Sequence, residues 1–132
     1  MALLVLVIDD DPRVRSVVRR QMERAGFDVA EAADGREGLK ICRREAPAAV
    51  LTDLYMPECE GLETIGRLRR EFPQLPIIAM SGGFGRLGDQ LEVARRLGAA
   101  LTLAKPFSAE QLTGALLKVL APPASLVHMG VT

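Results

Sequence analysis

Apolar residues along this chain alternate between two patterns. Short continuous runs occupy Leu3–Ile8, Ala48–Thr52, Pro76–Met80 and Ala100–Leu103. A weaker, alternating run covers Asp28–Ala32. Unbroken apolar runs of this length predict strands of a parallel sheet covered on both faces, and the alternating one predicts an edge strand. Between the runs, apolar residues recur at helical spacing. Val14, Val17, Val18, Met22 and Ala25 share one helical face. Leu39, Cys42 and Ala46 mark a shorter second helix, and Leu62, Ile65, Leu68 and Phe72 a third. Leu87, Leu91, Ala94 and Leu97 mark a fourth, stopped by Gly98, and Leu112, Ala115, Leu116, Val119 and Leu120 a fifth.

The punctuation agrees. Asp11 is a candidate N-cap, Pro12 suits the first helical position and Gly26 suits the stop. Ser108 and Gln111 have the spacing of a capping box. Five strands alternating with five helices predict a doubly wound α/β sheet. The pattern does not give strand order directly; a flavodoxin-like order, 2-1-3-4-5, would place the first and third strands side by side, as a gathering of their terminal acids requires. One domain is expected over 1–121, with a loose tail from 122 to 132 that begins in Pro122-Pro123.

That strand order gives the acids their meaning. The first run ends in Asp9-Asp10-Asp11 and the third in Asp53. Asp9, Asp10 and Asp53 then meet at the carboxyl edge of the sheet, where open α/β sheets place their ligand sites. Two carboxylates 4 Å apart repel by about 4 kcal/mol at an effective dielectric of 20. A hard divalent cation that takes oxygen ligands, Mg²⁺ above all, relieves that cost. One Asp suffices to cap a helix, and three are more than a cap needs.

Composition narrows the function. Seventeen basic and 17 acidic residues cancel among 132, so there is no electrostatic footprint for nucleic acid and no basic run for a membrane surface. The longest apolar run is too short to span a bilayer. Cys42 and Cys59 fit no zinc or redox spacing, and a cytoplasmic location is expected. His128 lies in the tail with no helix around it, a poor setting for a phosphotransfer histidine.

Four motifs in order then carry a resemblance: Asp9-Asp10, Asp53 through Met56-Pro57 to Gly61, Ser81 after the fourth run, and Lys105-Pro106-Phe107 after the fifth. Together they resemble the receiver domain of two-component response regulators, from about Leu3 to Leu120. The resemblance implies that Asp53 accepts a phosphoryl group from a histidine kinase or a histidine phosphotransfer protein. It implies Mg²⁺ (or Mn²⁺) held by Asp10, Asp53 and the backbone carbonyl of Tyr55, with Asp9 acting through a metal-bound water. Ser81, backbone N–H groups near Gly82, and Lys105 would meet the phosphoryl oxygens, and the Lys105–Pro106 bond would be cis. Phosphorylation would then change binding to a downstream protein effector, with no direct contact to nucleic acid. Such a chain is a signalling module that catalyses only its own phosphorylation and dephosphorylation. It would act either as a stand-alone receiver or as the receiver of a longer regulator.

The chain also departs from the family pattern. The switch position on the fifth strand, usually aromatic, is Thr102, which leaves Ser81 and Thr102 as the switch pair. Phe84 packing on the fourth helix is favoured over Phe84 replacing the missing ring. Tyr55 is bulky and Gly83 lacks a polar group to orient water, so slow dephosphorylation is expected. An aspartyl-phosphate phosphatase of the haloacid dehalogenase type needs a second Asp two residues after the first, and that position is Tyr55.

Overall fold

The computed structural model describes residues 2–54, 60–82 and 87–120. The elements are β1 (Leu4–Ile8), α1 (Pro12–Arg24), β2 (Asp28–Ala32), α2 (Gly35–Glu45), β3 (Ala49–Asp53), α3 (Glu60–Glu71), β4 (Ile77–Ser81), α4 (Leu87–Leu97), β5 (Leu101–Ala104) and α5 (Ala109–Leu120). The five strands form one parallel sheet of order β2-β1-β3-β4-β5, the expected fold. The alternating run Asp28–Ala32 is an edge strand. The expected tail, the Tyr55 carbonyl, Gly83 and Phe84 lie outside the described residues.

Both faces of the sheet are covered. Val5 and Val7 of β1 point into a core closed by α1 and α5, through Val18, Met22, Leu112 and Leu116. Leu6 and Ile8 point the other way, into a core shared with Leu39, Ile65, Leu68 and Ala94 of α2, α3 and α4. All four β1 residues are fully buried. A continuous apolar run is what a two-faced interior strand requires. Each such side chain is worth roughly 1.5–3 kcal/mol of burial.

Helix ends follow local chemistry. The Asp11 side chain accepts the Arg13 N–H at 2.9 Å, with Pro12 opening α1. Asp34 caps α2 through the Glu37 N–H at 2.8 Å, and Ser108 and Gln111 form the capping box of α5. Ala46 ends α2 in the left-handed region, φ 47°, instead of continuing its stripe. Ala25 likewise sits at the cap of α1, and Gly26, φ 98°, turns the chain toward β2.

Four strands differ from the sequence expectation: β1 starts one residue later, and β3, β4 and β5 each start and end one residue later. β3, β4 and β5 run to Asp53, Ser81 and Ala104, beyond the apolar runs that announce them. The reason is the ladder. The Leu54 N–H donates to the Met80 carbonyl at 2.8 Å and the Lys105 N–H to the Ser81 carbonyl at 2.7 Å. Parallel pairing therefore carries Asp53 and Ser81 to the edge as part of the sheet. Among the described residues, no helix is long and apolar enough to cross a membrane.

Candidate cation and phosphoryl site

Four of the residues singled out from sequence meet at the carboxyl edge of β1, β3 and β5. Asp9, Asp10 and Asp53 each place a carboxylate oxygen within 4.8 Å of the others. Asp9 and Asp53 are buried and Asp10 is exposed. Lys105 joins them from beyond β5. Its Nζ lies 3.0 Å from Asp9 Oδ2 and 3.5 Å from Asp53 Oδ1. The Lys105–Pro106 peptide is cis.

Asp9 is held at four atoms. Its N–H donates to the Ala32 carbonyl at 3.1 Å, which ties the end of β1 to β2. Its Oδ1 accepts the Asp11 N–H at 2.9 Å, and its Oδ2 accepts from Lys105. Its own carbonyl accepts from Arg15 Nη1 at 2.6 Å. Asp53 is the last residue of β3, in register with Met80 of β4. Behind it, a side chain at Gly61 would place a Cβ 2.5 Å from the Asp53 carbonyl and 2.6 Å from Leu54 Cα. Only glycine lets α3 approach the backbone this closely.

Ser81 ends β4 beside Asp53 and is fully buried. Among the described residues its hydroxyl has no hydrogen-bond partner. A buried hydroxyl left unpaired costs about 1–3 kcal/mol, so such a group marks a place where an acceptor is wanted. Gly82, half-buried, follows it. Thr102 is placed differently. It pairs with Ala79 two residues back from the edge and is half-buried, so it stands away from the carboxylates.

Three carboxylates facing one ammonium leave a formal excess of two negative charges. Oxygen-only donors converging from separate strands fit a hard divalent cation, and Asp10 and Asp53 would hold it with Asp9 beside them. The excess charge and the buried donor at Ser81 suit a pocket that takes a cation together with an anion.

Sequence reasoning missed Arg15 and Glu31. Arg15 Nε pairs with Glu31 Oε1 at 3.2 Å, and Arg19 Nη1 with Glu31 Oε2 at 2.8 Å. The hydrogen bond from Arg19, then that from Arg15, holds the Glu31 carboxyl below its ordinary range against the opposing effect of burial. The available signal was Glu31, an acid inside a predicted strand. Nothing local says which cation it meets.

Comparison with known proteins identifies the pocket's family. The model of the response regulator receiver domain matches residues 5–117. The response regulator MprA of Mycolicibacterium vanbaalenii is 36% identical over 117 residues, which cover 85% of this chain and 48% of that protein. Sporulation initiation phosphotransferase F of Bacillus subtilis is 29% identical over 116 residues, 88% of this chain and 92% of that one. The chain spans about half the length of most of the curated relatives it matches. Among solved structures, a putative response regulator from Chloroflexus aurantiacus superposes with a TM-score of 0.85 at 27% identity. It covers 92% of this chain and 100% of that one. The receiver domain of NtrX from Brucella abortus gives 0.82 at 26%, with 88% and 97% covered. Receiver domains typically bind Mg²⁺ at an acidic pocket, and they are signalling modules, not catalysts in the usual sense. With its five-stranded parallel sheet and its aspartates gathered at one edge, the chain belongs to the receiver domain family of two-component response regulators.

Proposed function

We propose that this receiver is a Mg²⁺-dependent phosphoacceptor in which Asp53 takes a phosphoryl group from a histidine kinase or a histidine phosphotransfer protein. The observation that carries the reading is the meeting of Asp9, Asp10, Asp53 and Lys105 around one small volume. A carboxylate oxygen of Asp53 attacks the phosphorus of a phosphohistidine. The bond between phosphorus and the imidazole nitrogen breaks, its electron pair returns to the ring, and an acyl phosphate forms. When bound, the cation neutralises charge on the phosphoryl oxygens. Asp10, Asp53 and the Tyr55 carbonyl are its proposed ligands, with Asp9 acting through water.

The remaining work falls to side chains. Phosphoryl transfer asks the protein for positioning and charge neutralisation. Lys105 meets one phosphoryl oxygen as a point charge on a flexible stem. Ser81 donates its unpaired hydroxyl to another, assisted by the N–H of Gly82. The new group brings roughly −1.5 to −2 charge and three acceptor oxygens. Ser81 and Lys105 follow it, and the surface that a protein effector reads changes with them. Thr102 cannot act as an aromatic toggle, so Ser81 is the proposed origin of the switch.

The match to a phosphotransferase over 92% of that relative supports a receiver-sized unit of a phosphorelay. The matches that cover about half of longer transcriptional regulators support a receiver working with an output domain. Both readings predict the same chemistry at Asp53. The test is incubation with acetyl phosphate and Mg²⁺, followed by intact mass. A gain of one phosphoryl group that disappears in Asp53→Asn is the expected result. No gain in the wild-type chain, or a gain that survives the substitution, overturns the assignment.

A further inference from the structure

Arg15 joins α1, the end of β1 and the edge strand at the rim of the pocket. Its Nη1 donates to the Asp9 carbonyl while its Nε pairs with Glu31. Glu31 stands opposite Val7 in the β1–β2 register, which puts it on the face covered by α1. Arg19, one helical turn after Arg15, holds the other Glu31 oxygen. The Glu31 carboxylate thus binds two guanidinium groups of one helix, and Arg15 is oriented before it reaches the pocket. The Arg15–Glu31 pair is partly shielded, with side chains 18% and 29% exposed, while that of Arg19 is 41% exposed.

The carbonyl that Arg15 grips belongs to the peptide unit linking Asp9 to Asp10. A peptide unit is planar, so holding its oxygen sets the direction in which the chain enters Asp10. Asp10 is exposed, and packing does little to orient it. Its aim is inherited from the plane before it. Asp9 is also held by Ala32, Asp11 and Lys105, and Arg15 adds a fourth hold at the peptide unit that leads into Asp10.

We infer that Arg15, clamped by Glu31, is a positioning residue for the cation pocket: it sets the Asp9–Asp10 turn so that both carboxylates face Asp53. The inference rests on the phosphoacceptor reading above. Partners that orient metal ligands through a hydrogen bond typically contribute about 10–100-fold to metal affinity. Lysine at position 15 could reach the carbonyl but lacks the fork that engages Glu31 at the same time.

The test is calorimetric titration of the full chain with Mg²⁺, beside amide exchange of the metal-free protein. Arg15→Gln is expected to weaken Mg²⁺ binding by about 10-fold or more. Arg15→Lys should recover part of the loss, and Glu31→Gln should show a smaller loss. In metal-free Arg15→Gln, the Asp10 and Asp11 amides should exchange faster while those of α5 are unchanged. Acetyl phosphate labelling should return to the wild-type rate at saturating Mg²⁺. A purely structural role would lower the melting temperature and leave Mg²⁺ affinity alone, and that result overturns the inference. Should Arg15→Gln fail to fold, wild-type affinity in Glu31→Gln overturns it equally. A wild-type chain that neither binds Mg²⁺ nor takes a phosphoryl group sinks the phosphoacceptor reading. The exchange comparison at Asp10 and Asp11 then still decides the clamp.

Discussion

Lys105 Nζ lies 3.0 Å from Asp9 Oδ2, although 96 positions separate the two residues in the chain. The ammonium is closer to Asp9 than to Asp53, the proposed phosphoacceptor, at 3.5 Å. In this state Lys105 is therefore the internal counter-ion of the most buried acid in the cluster. Removing one partner of such a pair leaves an uncompensated buried charge. Lys105→Ala should destabilise the metal-free chain by about 1–3 kcal/mol, less than for a fully buried pair because Lys105 is partly exposed. Urea unfolding with and without Mg²⁺ checks this, and the cation should restore part of the loss.

Asp53→Asn should act in the opposite direction. It removes one of three carboxylates that a single ammonium balances. Stability in metal-free buffer should rise by on the order of 1 kcal/mol, given pairwise repulsion of that scale after screening. Mg²⁺ affinity should fall. Melting curves in a chelator, compared with Mg²⁺ titration, separate the two effects. A lower melting temperature in the chelator would contradict the charge-crowding account.

Ser81→Ala removes a buried hydroxyl with no partner among the described residues. The unphosphorylated chain should be unchanged or stabilised by up to about 1 kcal/mol, since no hydrogen bond is lost and a desolvation cost is relieved. Stabilisation by a phosphoryl mimic such as beryllium trifluoride should shrink in the same variant. Thermal melts with and without the mimic provide both numbers. Equal stabilisation of wild type and variant would remove Ser81 from the phosphoryl site.

Glu31 supplies a pH dependence. Its folded-state pKa is lowered, with the Arg19 hydrogen bond as the leading cause. The unfolded chain then binds its proton first as pH falls, so the stabilisation is present above the ordinary carboxylate value of 4.5. It is lost as pH drops through the lower folded value. With a carboxylate 29% exposed, the contribution is expected to stay under about 1 kcal/mol. Urea midpoints across the acid range should show a shallower acid limb in Glu31→Gln than in wild type.

Cys42 should be inert. It is almost fully buried, and burial pushes its thiol up to about 11. At pH 8 the reactive thiolate is scarce and shielded. Peptide mapping after treatment with a thiol reagent should find Cys42 unmodified in the native chain and modified in urea.

Much of this molecule is legible in its residue pattern. Leu3–Ile8 announces an interior strand because both of its faces must be apolar. Asp28–Ala32 announces an edge strand because its faces alternate. Asp11 and Ser108 cap their helices through bonds to amides two or three residues away, interactions that close within a single turn. The gathering of Asp9, Asp10 and Asp53 depends on strand order: alternating strands and helices narrow it to doubly wound topologies, and the order β2-β1-β3-β4-β5 sets β1 beside β3.

Tertiary structure alone decided three things. The extension of β3 and β4 onto Asp53 and Ser81 depends on ladder bonds to neighbouring strands. Which acid Lys105 pairs with depends on how its side chain, starting beyond β5, reaches across the sheet edge to the end of β1, beyond any local spacing. Arg15 meets Glu31 because the β1–β2 register turns that acid toward α1. Local sequence encodes the periods and caps, since those interactions close within a few residues. Pairings between distant polar groups are set by where packed elements come to rest, and the chain declares them only once folded.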